Sequence, residues 1–346
     1  MKRERTLDVY CNVLRDNVVK GKLFPDGAPS IRMDADSDIK TSLSATFKNT
    51  GDIEWYRDEI QPVAVIDGTE HKFGVFAAAT IEEQSREGAK SVKVEAYDRC
   101  WRLAATTSES LVYIAAGTNY ISAIESLLIQ ADVTLVSADD TDYLMQTDRE
   151  DWNIGTDYLT IVNQLLDEIN YEHIWFDANG IAQLHQKAIT NTEQIKRSYD
   201  CKKVESLMLD NFSYSLDLYN APNVFIVKCD NPDLDTIYTA KAENNYPSSM
   251  LSITRRGKRI CGFYEVDNIP SQAALNEYAN ILCMESALLN ETVKITTAIY
   301  PDCGVNDVVA VVLPEFEGVC IETGWNLTLQ AGGEMTHLLR RRMMYE

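Results

Sequence analysis

The chain has 346 residues, 45% of them hydrophobic and 25% charged, with a formal net charge of −21. That length exceeds one typical core and predicts about two to four domains, and a composition this close to the globular average excludes intrinsic disorder. The acidic balance excludes general binding to DNA or an anionic membrane, because phosphate contacts need Lys and Arg.

No apolar run approaches the roughly 18 residues that span a bilayer. The opening "MKRERTLDVYC" is basic but has no apolar stretch behind it, so no secretory signal is expected and folding in a cytosol is.

The first hundred residues read as β. "TLDVYC" (6–11) and "SIRMDA" (30–35) are candidate strands, with turn residues in "LFPDGAPS" between them. "IKTSLSATF" (39–47) alternates cleanly at period two. In "PVAVIDGTEHKFGVF" the step Asp67-Gly68 between apolar runs signals a hairpin. Phe73, Val75 and Ala77, then Val92 and Val94, alternate on either side of the polar "TIEEQSREGAK", which reads as an exposed connection. These last stretches read as a three-stranded meander, and the whole gives about six strands at short spacing, in a barrel or sandwich.

The period changes after Trp101 and Leu103. Ile121, Ile124, Leu128 and Ala131 fall at helical spacing behind Thr118 and Asn119 as N-caps, and Val162, Leu165, Leu166 and Ile169 do so behind Asp157. Two short strands follow around Ala178-Asn179-Gly180. β character returns from Cys201, with Tyr214, Leu216 and Leu218 alternating and a run at Val224–Val227. "RICGFYEV" is a further strand. A third helix is expected after Ser271, with Leu275, Tyr278, Leu282 and Leu288 on its apolar side. "ETVKITTAIY", "NDVVAVVLP", "GVCIETGWNLTL" and "EMTHLLRRRM" read as strands to the end.

Chemistry is hard to find in this pattern. The cysteines at 11, 100, 201, 229, 261, 283, 303 and 320 show no C-x-x-C spacing and read as small buried hydrophobes. Of His71, His173, His185 and His337, the middle two flank a turn and read as ordinary strand residues. The acidic runs "SADDTD" (137–142) and "DREDW" (148–152) lack the calcium-loop pattern and read as solvated loops. "AGGE" (331–334) lacks the Lys and the helix of a phosphate cradle, and no G-x-S-x-G elbow occurs. No catalytic, cofactor-binding or metal residue is assigned, no cofactor is expected, and the chain is not read as an enzyme.

Three stretches carry a resemblance when taken in order: "GVFAAATIEEQSREGAKSVKVEAYDRCWRL" (74–103), "TAKAENNYPSSMLSITRRGKRICGFYEVDNIPSQAALNEYA" (239–279) and "VNDVVAVVLPEFEGVCIETGWNLTLQAGGEMTHLLRRR" (305–342). Together they resemble the baseplate hub proteins of contractile phage tails, prophage particles and phage-tail-like bacteriocins of Gram-positive type. These are related to the hub portion of type VI secretion spike proteins. The resemblance implies a mainly β fold with α+β insertions: two β-barrel-like tube domains plus two smaller inserted domains. The first tube domain would be 1–103, an inserted α+β domain 104–198, the second tube domain 199–238 with 291–346, and a small mixed insertion 239–290. It further implies a homotrimeric ring of pseudo-sixfold symmetry that joins a hexameric tail tube to a trimeric spike.

The implied partners are the tail tube and spike proteins, with the tape-measure protein and baseplate wedge proteins beside them. DNA would be only transient cargo, repelled by acidic walls, and no membrane is involved. The protein would be made in bacterial cytoplasm and assembled into the particle. The spike would be a separate protein, because no β-helical repeat trails the chain here. Asn306-Asp307 resembles the family's turn into a wall strand, and Arg340–Arg342 either dock an acidic partner or face solvent. The alternatives are a tail-tip carbohydrate-binding or adhesin module, a siphophage-type tail-tip protein and, last, a tail-associated cell-wall hydrolase.

Overall fold

The computed structural model describes residues 6–48, 50–86, 89–187, 195–203, 207–216, 221–229, 237–247, 249–266, 269, 271–286, 291–314 and 316–342. The fold is mainly β. In chain order the first strands are β1 Leu7–Arg15, β2 Val18–Leu23, β3 Ser30–Asp34, β4 Thr41–Phe47, β5 Glu59–Ile66, β6 Thr69–Lys72, β7 Phe76–Arg86 and β8 Ala89–Tyr97. There follow α1 Cys100–Ala105, α2 Tyr120–Gln130, β9 Val136–Ala138, α3 Tyr158–Glu168, β10 Trp175–Phe176 and β11 Ala182–Leu184. Next are β12 Arg197–Asp200, β13 Met208–Leu216, β14 Val224–Cys229, β15 Tyr238–Glu243, α4 Ile253–Arg256, β16 Cys261–Val266 and α5 Gln272–Ser286. The last are β17 Glu291–Ala298, β18 Asp307–Leu313, β19 Phe316–Thr328 and β20 Glu334–Arg342.

One 14-stranded sheet dominates, ordered β13-β17-β20-β19-β3-β4-β8-β7-β5-β1-β2, with β18 on β19, β12 on β18 and β6 on β5. β19 joins the early and late strands. Its Phe316–Glu322 half pairs with β18 and its Gly324–Thr328 half with β3, while β20 runs along its other side. The register slips between Glu322 and Gly324, where a Cβ at Gly324 would lie 3.3 Å from the Met33 carbonyl oxygen. A bulge at this point lets one strand turn from the first neighbour to the second.

Two cores underlie this sheet. One gathers Ile31, Leu43, Phe47, Ile60 and Phe76 with Trp325, Leu327 and Met335, so early and late strands share it. The other gathers Tyr199, Val293, Ile295, Val309, Val311, Phe316 and Leu339. Each fully buried Leu, Ile or Phe contributes about 1.5–3 kcal/mol. α1, α2 and α3 pack with the small sheet β10-β11-β9 around Leu103, Ile124, Leu128, Leu165 and Leu166. α5 covers the third sheet, β15-β14-β16, through Ala274, Leu275 and Ala279.

Several expectations change. Val224–Cys229 does not join the 291–346 strands; it is the central strand of the small sheet beneath α5. The expected 238/239 boundary therefore falls inside that unit, and the placing of 224–229 in the second large β domain is corrected. The polar "TIEEQSREGAK" is strand as far as Arg86, because the β7–β8 ladder satisfies its backbone whatever its side chains do. Conversely, Phe73 and Val75 precede β7, since Gly74 turns the chain at φ +108. β2, unread in the sequence, follows a turn at Asp16 and Asn17, both at positive φ, the mark of a two-residue hairpin loop. Leu218 and Leu288 lie outside the described residues.

Candidate functional site

The densest buried chemistry lies inside the late β unit, on five adjacent strands. β12 supplies Arg197 and Tyr199, β18 Asp307, β19 Glu322, β20 His337 and β17 Thr297, with Cys303 on the connection between β17 and β18. Glu322 and His337 are fully buried, and Tyr199, Asp307 and Arg197 nearly so.

The Arg197 guanidinium organises the acids. Its Nη2 donates to Asp307 Oδ2 at 2.6 Å and to Glu322 Oε2 at 2.5 Å, and its Nη1 donates to Asp302 O at 3.0 Å. Lys196 Nζ takes the other Asp307 oxygen at 2.6 Å, and Gly304 N donates to Asp307 Oδ2 at 2.8 Å. Asp307 thus fixes the turn that enters β18, where Asn306 sits at φ +55 and donates to Glu172 Oε2 at 3.0 Å. The Asn306-Asp307 pair ties the late β unit to the α-rich unit as well as shaping the strand entry.

His337 lies between Glu322 and Thr297. Its Nδ1 meets Glu322 Oε1, and its Nε2 is 2.8 Å from Thr297 Oγ1. The Tyr199 hydroxyl is 3.4 Å from Nδ1, and the two rings pack at 5.0 Å. Burial, then the negative Glu322, pushes the Tyr199 hydroxyl and the Cys303 thiol well above their ordinary values. Burial pulls Arg197 down, but Cys303, Glu322, Tyr199 and Asp307 outweigh it and hold the guanidinium charged. Cys303, Glu322 and His337 place their ligand-type atoms within 4.8 Å of one another.

A second buried ion pair fastens the early β unit to the α-rich one. Arg99 donates to both Glu59 oxygens, at 3.0 and 2.6 Å, to Gly180 O at 2.7 Å and to Asn17 Oδ1 at 2.6 Å. A third joins Arg149 to Glu168 at 2.8 and 3.0 Å, with Tyr120 donating to the same carboxylate at 2.7 Å. Burial, opposed by Arg149, leaves Glu168 above the usual carboxylate range.

His173 and His185 lie just outside strands, each against its own aspartate: His173 Nε2 to Asp167 Oδ2 at 2.8 Å, and His185 Nδ1 to Asp139 Oδ1 at 3.0 Å. Cys201 and Cys261 are exposed, which corrects the expectation of uniformly buried cysteines. Arg340 and Arg341 are neither free nor solvent-only: Arg340 pairs with Asp36, and Arg341 donates to Glu291 at 2.7 Å over the Phe316 ring. The Arg342 side chain lies outside the described residues.

No family model and no curated protein matches this sequence. Solved structures do. The tail protein from Neisseria meningitidis MC58 superposes with a TM-score of 0.69 at 13% identity, over 96% of each chain. The fold is that of phage tail proteins. The 43 kDa tail protein of prophage MuSo2 from Shewanella oneidensis gives 0.69 at 10% identity, over 97% of this chain and 98% of that one. Prophage tail protein gp18 from Listeria monocytogenes EGD-e gives 0.57 at 12% identity, over 96% and 94%. In this tail-protein fold the buried network of Arg197, Asp307, Glu322 and His337 binds strands from across the late β unit, and Arg99 with Glu59 binds that unit's early counterpart to the helices.

Proposed function

We propose that the chain is the baseplate hub of a contractile tail or related injection particle. In this reading three copies form a ring around the channel, which joins a hexameric tube to a trimeric spike. The observation that carries this is the shape of the main sheet. Two β units are fused through β19 into one sheet whose ends, β2 and β13, belong to different units. Two unlike ends allow a head-to-tail contact, which forms a ring where the rotation between copies closes. With two units in each of three copies, the ring has six positions to match a hexameric tube.

The β13 end supports the reading further. Phe212 and Tyr214 lie opposite Ile295 and Val293, so they face the late core, yet they are 38% and 48% exposed. Among the described residues nothing pairs β12 with β13, so this core is open at its edge. β13 carries one charge, Asp210, whereas β2 at the other end carries Lys20 and Lys22 beside exposed Val18 and Val19. Natural proteins guard free edges with charge or cover them with a neighbour. β2 of a second copy covers β13 in this arrangement.

The wall facing the channel is then the polar sheet face across the junction, where Arg32, Ser42, Ser44, Glu95, Asn326, Thr328 and Thr336 line a shallow groove of 710 Å³. Hydroxyls and the overall acidic charge leave little for DNA phosphate to bind. Arg340 and Arg341, engaged within the chain, serve the fold rather than a partner.

Co-expression with the tube and spike proteins of the same particle tests the role. A complex holding all three on one column supports the hub. Spike or tube protein that never co-elutes with the ring counts against it.

A further inference from the structure

Thr297 fixes a proton on His337. The Thr297 hydroxyl donates to Ala298 O at 2.7 Å, so toward His337 Nε2, 2.8 Å away, it offers only a lone pair. Nε2 therefore carries the hydrogen, which leaves Nδ1 as the ring atom on the side of Glu322 and Cys303. Nδ1 meets Glu322 Oε1 and lies beside the Cys303 sulfur, with Glu322 and His337 fully buried and Cys303 partly so.

We propose that Cys303 Sγ, Glu322 Oε1 and His337 Nδ1 form a binding site for a divalent transition-metal ion of the Zn²⁺ type, with the fourth position turned toward the Tyr199 hydroxyl. The donor set is one sulfur, one nitrogen and one oxygen, which suits zinc and disfavours calcium or magnesium. The outer contacts are those of a built site: Thr297 holds His337 Nε2, and Arg197 holds the second Glu322 oxygen at 2.5 Å. Asp307 is shared by Arg197 and the largely exposed Lys196, and Glu322 with the Cys303 thiolate would offset the ion's charge. Cys303 is half-buried on the connection before β18, which gives an ion a way in. Binding releases the thiol proton to solvent and pins the 299–306 connection onto β19 and β20. The site is independent of the hub reading, since it closes one β unit whatever that unit assembles with.

The full chain, stripped with chelator, is titrated with Zn²⁺ alone and Co²⁺ alone. One ion per chain retained through gel filtration, a raised melting temperature and a thiolate-to-cobalt absorption band support the proposal. Cys303→Ser abolishes the band, and Thr297→Val weakens zinc binding about 10–100-fold, the cost of removing an outer contact. Equal zinc retention by the chain and by Cys303→Ser, with no thiolate band in either, overturns it. So does a nitrogen NMR spectrum in which His337 remains an imidazolium in the presence of zinc, since Glu322 would then simply pair with a protonated ring.

Discussion

Arg340 Nη1 donates to Asp36 Oδ1 at 3.1 Å, linking β20 to the turn between β3 and β4. Arg340, in a basic run expected either to dock an acidic partner or to face solvent, is thereby engaged inside the chain, across the seam where the two β units meet. Asp36 is over half exposed, and solvent-screened pairs contribute about 0–1 kcal/mol. Arg340→Ala should shift the urea midpoint only slightly and leave assembly intact. A lost complex with tube or spike would instead show that Arg340 serves a partner.

Arg197 stands in a different regime. Replacing it with Ala leaves Asp307 and Glu322 buried without their shared cation, and breaking a buried pair costs about 3–5 kcal/mol. Urea unfolding of Arg197→Ala measures this. A loss below about 1 kcal/mol would mean that Lys196, at 2.6 Å from Asp307, carries the balance alone.

Gly180 sits at φ +76 between β10 and β11, where an added Cβ would lie 2.9 Å from Val75 and 3.1 Å from Arg99. The left-handed backbone alone costs Ala about 1–2 kcal/mol, and the clash falls on the Arg99–Glu59 junction. Gly180→Ala should lower stability by at least that amount and raise hydrogen exchange at 99–103. An unchanged exchange rate there would show that the junction can give way.

How much of this was legible varies by element. α2 and α3 announced themselves because apolar periodicity coincides with real caps: Asn119 Oδ1 accepts from Ser122 N at 3.2 Å, and Asp157 Oδ1 from Thr160 N at 2.8 Å. β2 stayed hidden because an edge strand facing solvent needs no alternation; the Asp16-Asn17 turn was its one local signal. The tip of β7 was misread for the same reason. The late cluster has no local signature at all. Residues 197, 297, 303, 307, 322 and 337 meet only through strand pairing, so neither spacing nor composition points to His337 or Cys303.

Acid should loosen the early β unit through one carboxylate. The hydrogen bonds from Arg15, at 2.6 and 2.9 Å, hold Asp58 below the usual carboxylate range, against its burial. A lowered folded-state pKa contributes stability above the unfolded value, near about pH 4, and loses it as pH falls toward the folded one. Melting temperatures from about pH 5 to 3 should fall more steeply for the parent chain than for Arg15→Gln. Parallel curves would contradict this.

The open edge offers a test of assembly by substitution. Phe212→Lys places a charge on β13 where a neighbour's β2, already bearing Lys20 and Lys22, is proposed to lie. The residue is 38% exposed but faces the late core, so the melting temperature should fall somewhat, and the test is loss of the ring while circular dichroism shows the chain still folded. An intact ring would move the contact elsewhere.

The native mass of the purified chain, by light scattering on a sizing column with negative-stain imaging of the peak, tests the central claim most directly. The hub account predicts three 39.0 kDa chains per particle, seen as a ring with a central hole. A monomer at every concentration, unchanged when spike protein is added, would contradict it.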